Sequence, residues 1–214
     1  MKPSVLVIGL GRFGNAVALE LMSLGHEVLA VDRDEATVND IAPDVTHAAQ
    51  LDASDEGALK SVGAGDFEHA IVAISSATEA SIFATMALKN LGVGKVIAKA
   101  ATRLHGSILE RVGADRVVYA EREMGQRVAH SLSIPGIVDY LDVAPRFGMI
   151  KILPPQNWVG QSIKQLDLAS RQLSPVALRR GTEVMVNPHR DVVLAATDEL
   201  ILLGRDEQLE RIGR

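Results

Sequence analysis

Val5-Leu6-Val7-Ile8-Gly9-Leu10-Gly11-Arg12-Phe13-Gly14 is the strongest local signal in the chain: a β-branched run that stops at glycine and reopens as a helix. Gly9 permits the tight turn, Gly11 lets the backbone approach a phosphate, and Gly14 lets helix and strand pack closely. Free N–H groups at the helix start, with the positive end of its dipole, hold an anion. Asp32 ends the next strand, 18 residues past Gly14, where a carboxylate accepts hydrogen bonds from a ribose diol. A 2′-phosphate would meet Asp32 charge against charge, and the neighbouring Arg33 offsets this only slightly. Arg12 lies inside the loop, where a guanidinium can reach the terminal phosphate of a di- or triphosphate. A solvated loop arginine is the even-handed alternative.

Working outward, short β-branched runs alternate with helical stretches up to about residue 119. The strands read as Val5–Ile8, Glu27–Val31, Val45–Ala48, His69–Ile74, Lys95–Lys99 and Arg116–Tyr119. The helices read as Phe13–Leu24, Glu35–Ile41, Asp55–Val62, Ala77–Leu91 and Arg103–Val112, several stopping at a glycine suited to a left-handed cap (Gly25, Gly63, Gly92, Gly113). Nearly continuous apolar strands in that alternation predict a doubly wound parallel sheet of the α/β, Rossmann-like class. A further helix is expected over Arg122–Leu132, ending at Ser133-Ile134-Pro135-Gly136. Beyond it, Val138–Val143, Gly148–Leu153, Val176–Arg180, Glu183–Val186 and Glu199–Gly204 read as shorter strands of a small α+β domain, with loops at Pro154-Pro155 and Asn187-Pro188. The expected division is residues 1–134, including a linking helix over 121–133, and residues 135–214.

The bulk composition narrows the classes. Apolar residues make up 47% and charged residues 23% of 214, a globular balance. With no cysteine, thiolate metal sites, disulfides and thiol nucleophiles are excluded, and a reducing cytoplasm is the natural setting. The opening apolar run is four residues long, and no later stretch reaches the roughly 18 residues a spanning helix needs. Direct membrane insertion is therefore not expected. A formal charge of −5 without a Lys/Arg cluster argues against nucleic acid.

The chemistry of an enzyme is missing. Catalytic residues are expected to be none: the six histidines (His26, His47, His69, His105, His130, His189) are scattered without metal-ligand spacing. There is neither a nucleophile elbow nor a Walker loop, and the second domain is small and β-rich for a substrate domain.

Several segments together resemble the RCK (regulator of potassium conductance) family, in particular the cytosolic subunits of Ktr and Trk potassium uptake systems. They are Val7–Gly14, His26–Asp32, Ile71–Ile74, Ala98–Ala100, Leu109–Asp115, Glu121–Gly125 and Asp198–Gly204, and they span nearly the whole chain. A single pair of domains, without tandem duplication, is more similar to Ktr than to Trk.

The resemblance implies that Gly9, Gly11 and Gly14 hold phosphates, Arg12 contacts the terminal phosphate and Asp32 binds ribose. Asp52 and Ile74 would border the base, and Lys99 would face the ligand from a strand end. Phe13 in the loop and Arg33 beside Asp32 complete the cofactor-binding set. Glu121 would help coordinate magnesium or another cation at a dimer interface; read alone, it is a helix-start acid favoured by the dipole. The ligand implied is ATP or ADP, with NAD(H) an alternative. The partners implied are a membrane potassium transporter subunit and further copies of the chain, paired through their N-terminal domains into an octameric ring on the inner face of the membrane. The rival expectations are a small NAD-dependent oxidoreductase and an NADH redox sensor.

Overall fold

The computed structural model describes residues 2–133 and 136–212 and divides into two units, residues 1–120 and 121–214. In the first, β1 (Val5–Ile8), α1 (Arg12–Ser23), β2 (Val28–Asp32), α2 (Glu35–Ile41), β3 (His47–Gln50) and α3 (Glu56–Ser61) form one half. The other half is β4 (His69–Val72), α4 (Thr78–Asn90), β5 (Lys95–Lys99), α5 (Arg103–Arg111) and β6 (Arg116–Val118). The strands form a parallel sheet in the order β3-β2-β1-β4-β5-β6, the doubly wound arrangement expected. Helices cover both faces, so every residue of β1 is buried. Leu6 and Ile8 pack into one core while Val5 and Val7 pack into another on the opposite face, as the two-residue side-chain period of a strand dictates.

The helix ends follow their side chains. Asp34 and Asp55 each accept two backbone N–H groups at the starts of α2 and α3, and Thr102 accepts one at α5, contacts typically contributing about 1 kcal/mol each. The four cap glycines all have positive φ.

His105, in the first turn of α5, is 3% exposed. Its Nδ1 accepts the Ala101 N–H at 3.3 Å, so the neutral ring carries its proton on Nε2, which has no partner among the described residues. Burial pulls its pKa below the ordinary 6.5; a second proton would also set N–H against N–H at Ala101. Stability is therefore full above 6.5 and falls as pH drops below it toward the depressed folded value. Thermal unfolding between about pH 7.5 and 5 should show this decline, and His105→Gln should flatten it; an unchanged slope in the variant would assign the decline to other groups.

The second unit holds α6 (Ala120–Ser133, whose first residue closes the first unit), β7 (Ile137–Ala144), β8 (Phe147–Ile152), α7 (Ile163–Leu166), β9 (Leu173–Arg180), β10 (Glu183–Val186), β11 (Glu199–Arg205) and α8 (Asp206–Leu209). Its antiparallel sheet runs β10-β9-β11-β8-β7 over a core that includes Ile150, Ile152, Trp158, Leu178, Leu200 and Leu202. Two of these strands are longer than expected, β7 and β9 having eight residues each, whereas β10 is Glu183–Val186 as expected. Two four-residue helices, α7 and α8, were not expected at all. Helix α6 begins two residues earlier than its pattern suggested, and Ile134 and Pro135, where it was expected to end, lie outside the described residues.

Helix α6 is fastened to the second unit. Arg127 Nε donates to Asp139 Oδ1 at 2.6 Å, and His130 stacks on Tyr140 with ring centroids 4.0 Å apart and planes 12° from parallel. The Tyr140 hydroxyl donates to Asp206 Oδ1 at 3.0 Å. Burial, helped by Asp206, raises the pKa of that hydroxyl. The ring lies over Gly148, where a Cβ would come within 2.5 Å of it.

Candidate nucleotide-binding site

The strand order reverses between β1 and β4, and the loops leaving their carboxyl ends part there to leave a crevice. The glycine loop forms one side. Gly9 N–H donates to Val31 O at 2.8 Å and Ala73 N–H to Ile8 O at 2.7 Å, which locks the loop's root to its neighbours. Gly9 has φ +91°, and a Cβ there would lie 3.0 Å from Ile74 N. At Gly14 a Cβ would sit 1.8 Å from Gly9 O. Gly11 is different: no atom lies within 4 Å of where its Cβ would be. Internal packing therefore does not demand glycine there. The open space is the room a ligand backbone approach requires. Gly11 is also the N-cap of α1 and has no side chain to cap it, so among the described residues the helix's first N–H groups have no side-chain cap and can receive an anion.

Asp32, at the end of β2, braces this loop. Its Oδ2 accepts the Leu10 N–H at 2.7 Å and its Oδ1 accepts the Asp34 N–H at 3.0 Å. Each carboxylate oxygen has a further lone pair for a hydroxyl. Asp52 is exposed. Its Oδ1 accepts the Ser54 hydroxyl at 2.6 Å and the Ser54 N–H at 2.9 Å, and these bonds, with Arg33 nearby, lower its pKa. It stays ionised as a fixed acceptor.

The crevice has a volume of about 600 Å³, within the usual range for small-ligand sites. Of the expected residues, Gly9, Asp32, Arg33, Asp52 and Ile74 line it. Gly11, Arg12, Phe13 and Gly14 are not among its lining residues and lie beyond Gly9, in the loop and first turn of α1. Ile74 was expected inside a strand; β4 ends at Val72, and Ile74 lies on the loop that follows. Lys99 is 4% exposed, with Nζ 5.4 Å from the Phe13 ring centroid and 3.4 Å from Ser75 Oγ, beside the loop rather than on the crevice wall. Charge is thus divided: Arg12 and Lys99 lie toward the loop, whereas Asp32, Asp52 and Glu79 line the crevice with Arg33. That polarity suits a nucleotide with its phosphates at the loop and its nucleoside in the crevice.

Glu121 belongs to the second unit, exposed in the first turn of α6. Among the described residues no group of three or more acidic, His or Cys side chains could hold a metal. A cation at Glu121 would need most of its oxygen ligands from nucleotide phosphates or water, as magnesium accepts.

Sequence reasoning missed Ser76, Ala77, Thr78, Glu79, Ala80 and Phe83, which also line the crevice. The signal was available, since the strand after the reversal feeds its helix into the crevice.

Residues 5–120 match the TrkA-N domain and residues 148–214 the TrkA-C domain. Over 215 residues the chain is 37% identical to Ktr system potassium uptake protein C of Bacillus subtilis (strain 168), covering 100% of this chain and 97% of that protein. The GsuK channel bound to NAD has a similar fold (TM-score 0.69, 18% identity), covering 98% of this chain and 38% of that one. GsuK bound to ADP aligns over 64% of this chain and 35% of its own length (TM-score 0.53, 18% identity). No helix among the described residues is long and apolar enough to cross a membrane. The match through both domains sets aside the oxidoreductase reading: this chain belongs to the TrkA-N/TrkA-C (RCK) family, whose members are regulatory rather than enzymatic and include Ktr potassium uptake proteins.

Proposed function

We propose that the chain is the cytoplasmic, nucleotide-sensing subunit of a Ktr-type potassium uptake system, bound through its partner to the inner face of the membrane. The observation that carries the nucleotide reading is the pairing of an uncapped α1 start and open space at Gly11 with Asp32 at the mouth of the crevice. In this reading Gly9, Gly11 and Gly14 hold the phosphates with Phe13, Lys99 lies beside them, Asp32 and Arg33 flank the ribose, and Asp52 and Ile74 border the base. Arg12 is exposed at the loop and reaches a terminal phosphate that ATP has and AMP lacks. Glu121, in the linking helix that we assign functionally to residues 1–134, shares magnesium or another cation with those phosphates across a pair of N-terminal domains. Four such pairs form an octameric ring.

A nucleotide moves such a ring only by binding one shape more tightly than another, and coupling energies of about 1–3 kcal/mol suffice. ATP favours the conducting shape and ADP the closed one. NAD(H) is a second reading, favoured by the ligand of the GsuK relative and by Asp32, which suits a free 2′-hydroxyl; it would make the chain a redox sensor on the same transporter.

Isothermal titration calorimetry with ATP, ADP, NADH and NAD, with and without magnesium, separates these readings. ATP is expected to bind more tightly than ADP, and Arg12→Ala to remove that advantage, about tenfold, while leaving the fold intact. NADH binding alone, indifferent to Arg12, would replace the ATP reading with the redox sensor.

A further inference from the structure

Helix α4 turns one face to the crevice: Glu79, Ala80 and Phe83 line it at the three- and four-residue spacing that stacks side chains on one side of a helix. Ser81, Thr85 and Leu88, on the other side, are buried. Phe83 is 48% exposed and stands at the crevice that Ile74 and Ala53 also line. A lone exposed apolar residue carries no message. An aromatic ring lining a crevice opposite a loop suited to phosphates does, because every base offers a face to stack on.

We propose that Phe83 is a base-stacking residue of the nucleotide site, closing the crevice over the purine ring while Ile74 and Ala53 support the ring's other edge. This rests on the nucleotide reading above and adds a positioning residue that the glycine fingerprint does not contain. Asp52, held as a carboxylate by Ser54, can accept a hydrogen bond from an exocyclic amine at the base edge.

The test uses the full chain with ADP and ATP as probes. Phe83→Ala is expected to weaken ADP and ATP binding about tenfold or more, with thermal stability and sedimentation unchanged because the side chain is half exposed. Phe83→Trp is expected to retain affinity and to gain an emission that adenine nucleotides quench; Trp158, 2% exposed in the other unit, provides the constant background. Undiminished ADP binding in Phe83→Ala, or an unquenched emission from Phe83→Trp, overturns the stacking role and leaves the nucleotide reading standing. A sedimentation change without loss of affinity overturns it too, assigning Phe83 to a contact between copies. Absence of all nucleotide binding in the wild type overturns both.

Discussion

Gly14→Ala is expected to unfold the first unit or cost it more than about 3 kcal/mol, the scale reserved for steric overlap in a packed site. The added methyl would sit 1.8 Å from Gly9 O and 3.0 Å from the Ala73 side chain. Neither side has room to give. Gly9 is held by its bond to Val31 O and Ala73 by its bond to Ile8 O, so relief means breaking the junction of β1, β2 and β4. Denaturant unfolding followed by circular dichroism measures this, with two transitions allowed for because the chain has two units. Gly11→Ala is the companion measurement. Nothing lies within 4 Å of its methyl, so the unfolding curve should stay within about 1 kcal/mol of wild type while nucleotide binding is lost. Equal stability losses in the two variants would show that the loop is not built as described.

Asp32→Ala should weaken nucleotide binding about a hundredfold and also destabilise the first unit by about 1–3 kcal/mol. The two effects have separate origins. The ribose loses its acceptor, and Leu10 and Asp34 lose the carboxylate that receives their N–H groups. Asp32→Asn distinguishes them: an amide oxygen can still accept the Leu10 N–H, so stability should largely return while ribose binding stays impaired. Calorimetry and a thermal melt on the same samples give both readings. Affinity within about twofold of wild type in Asp32→Ala would remove Asp32 from the ligand and leave it a purely structural brace.

Much of the first unit was legible because buried parallel strands write themselves as apolar runs. Val5–Ile8 and Lys95–Lys99 were read to the residue. β3 was displaced by two residues because Val45, the apolar residue that suggested it, is buried against the helical side of the sheet without joining a strand, while the strand proper is His47–Gln50. β4 was read too long because Ala73 and Ile74 are apolar for another reason: they pack beneath and beside the glycine loop.

In the second unit a strand was read over Val176–Arg180, yet β9 begins at Leu173 and runs through Pro175. The sheet accommodates the proline with a register shift: Ile201 pairs with Ala177 and Leu202 with Pro175, leaving Val176 of β9 as the extra residue, the kind of irregularity proline needs inside a sheet. Helices α7 and α8 are too short for any periodicity to show. In the site, the fingerprint residues were readable, and the helix after β4 was read as Ala77–Leu91 against the observed Thr78–Asn90, but its crevice face was missed because no local motif marks it; only the reversal of strand order does.

The fastening of helix α6 bears on how such proteins can be recombined. Arg127–Asp139 and the His130–Tyr140–Asp206 chain tie the helix to strand β7 and helix α8, so it is physically a limb of the second unit although the chain reaches it straight from β6. A hybrid gene that joins the first unit of one relative to the second of another keeps this clasp intact when spliced at Tyr119-Ala120. Spliced after the helix, it would pair one parent's arginine and histidine with another parent's aspartate and tyrosine. Lineages that exchanged these modules would therefore be expected to carry their breakpoints before the helix, and residues 127, 130, 139 and 140 to be inherited as a set.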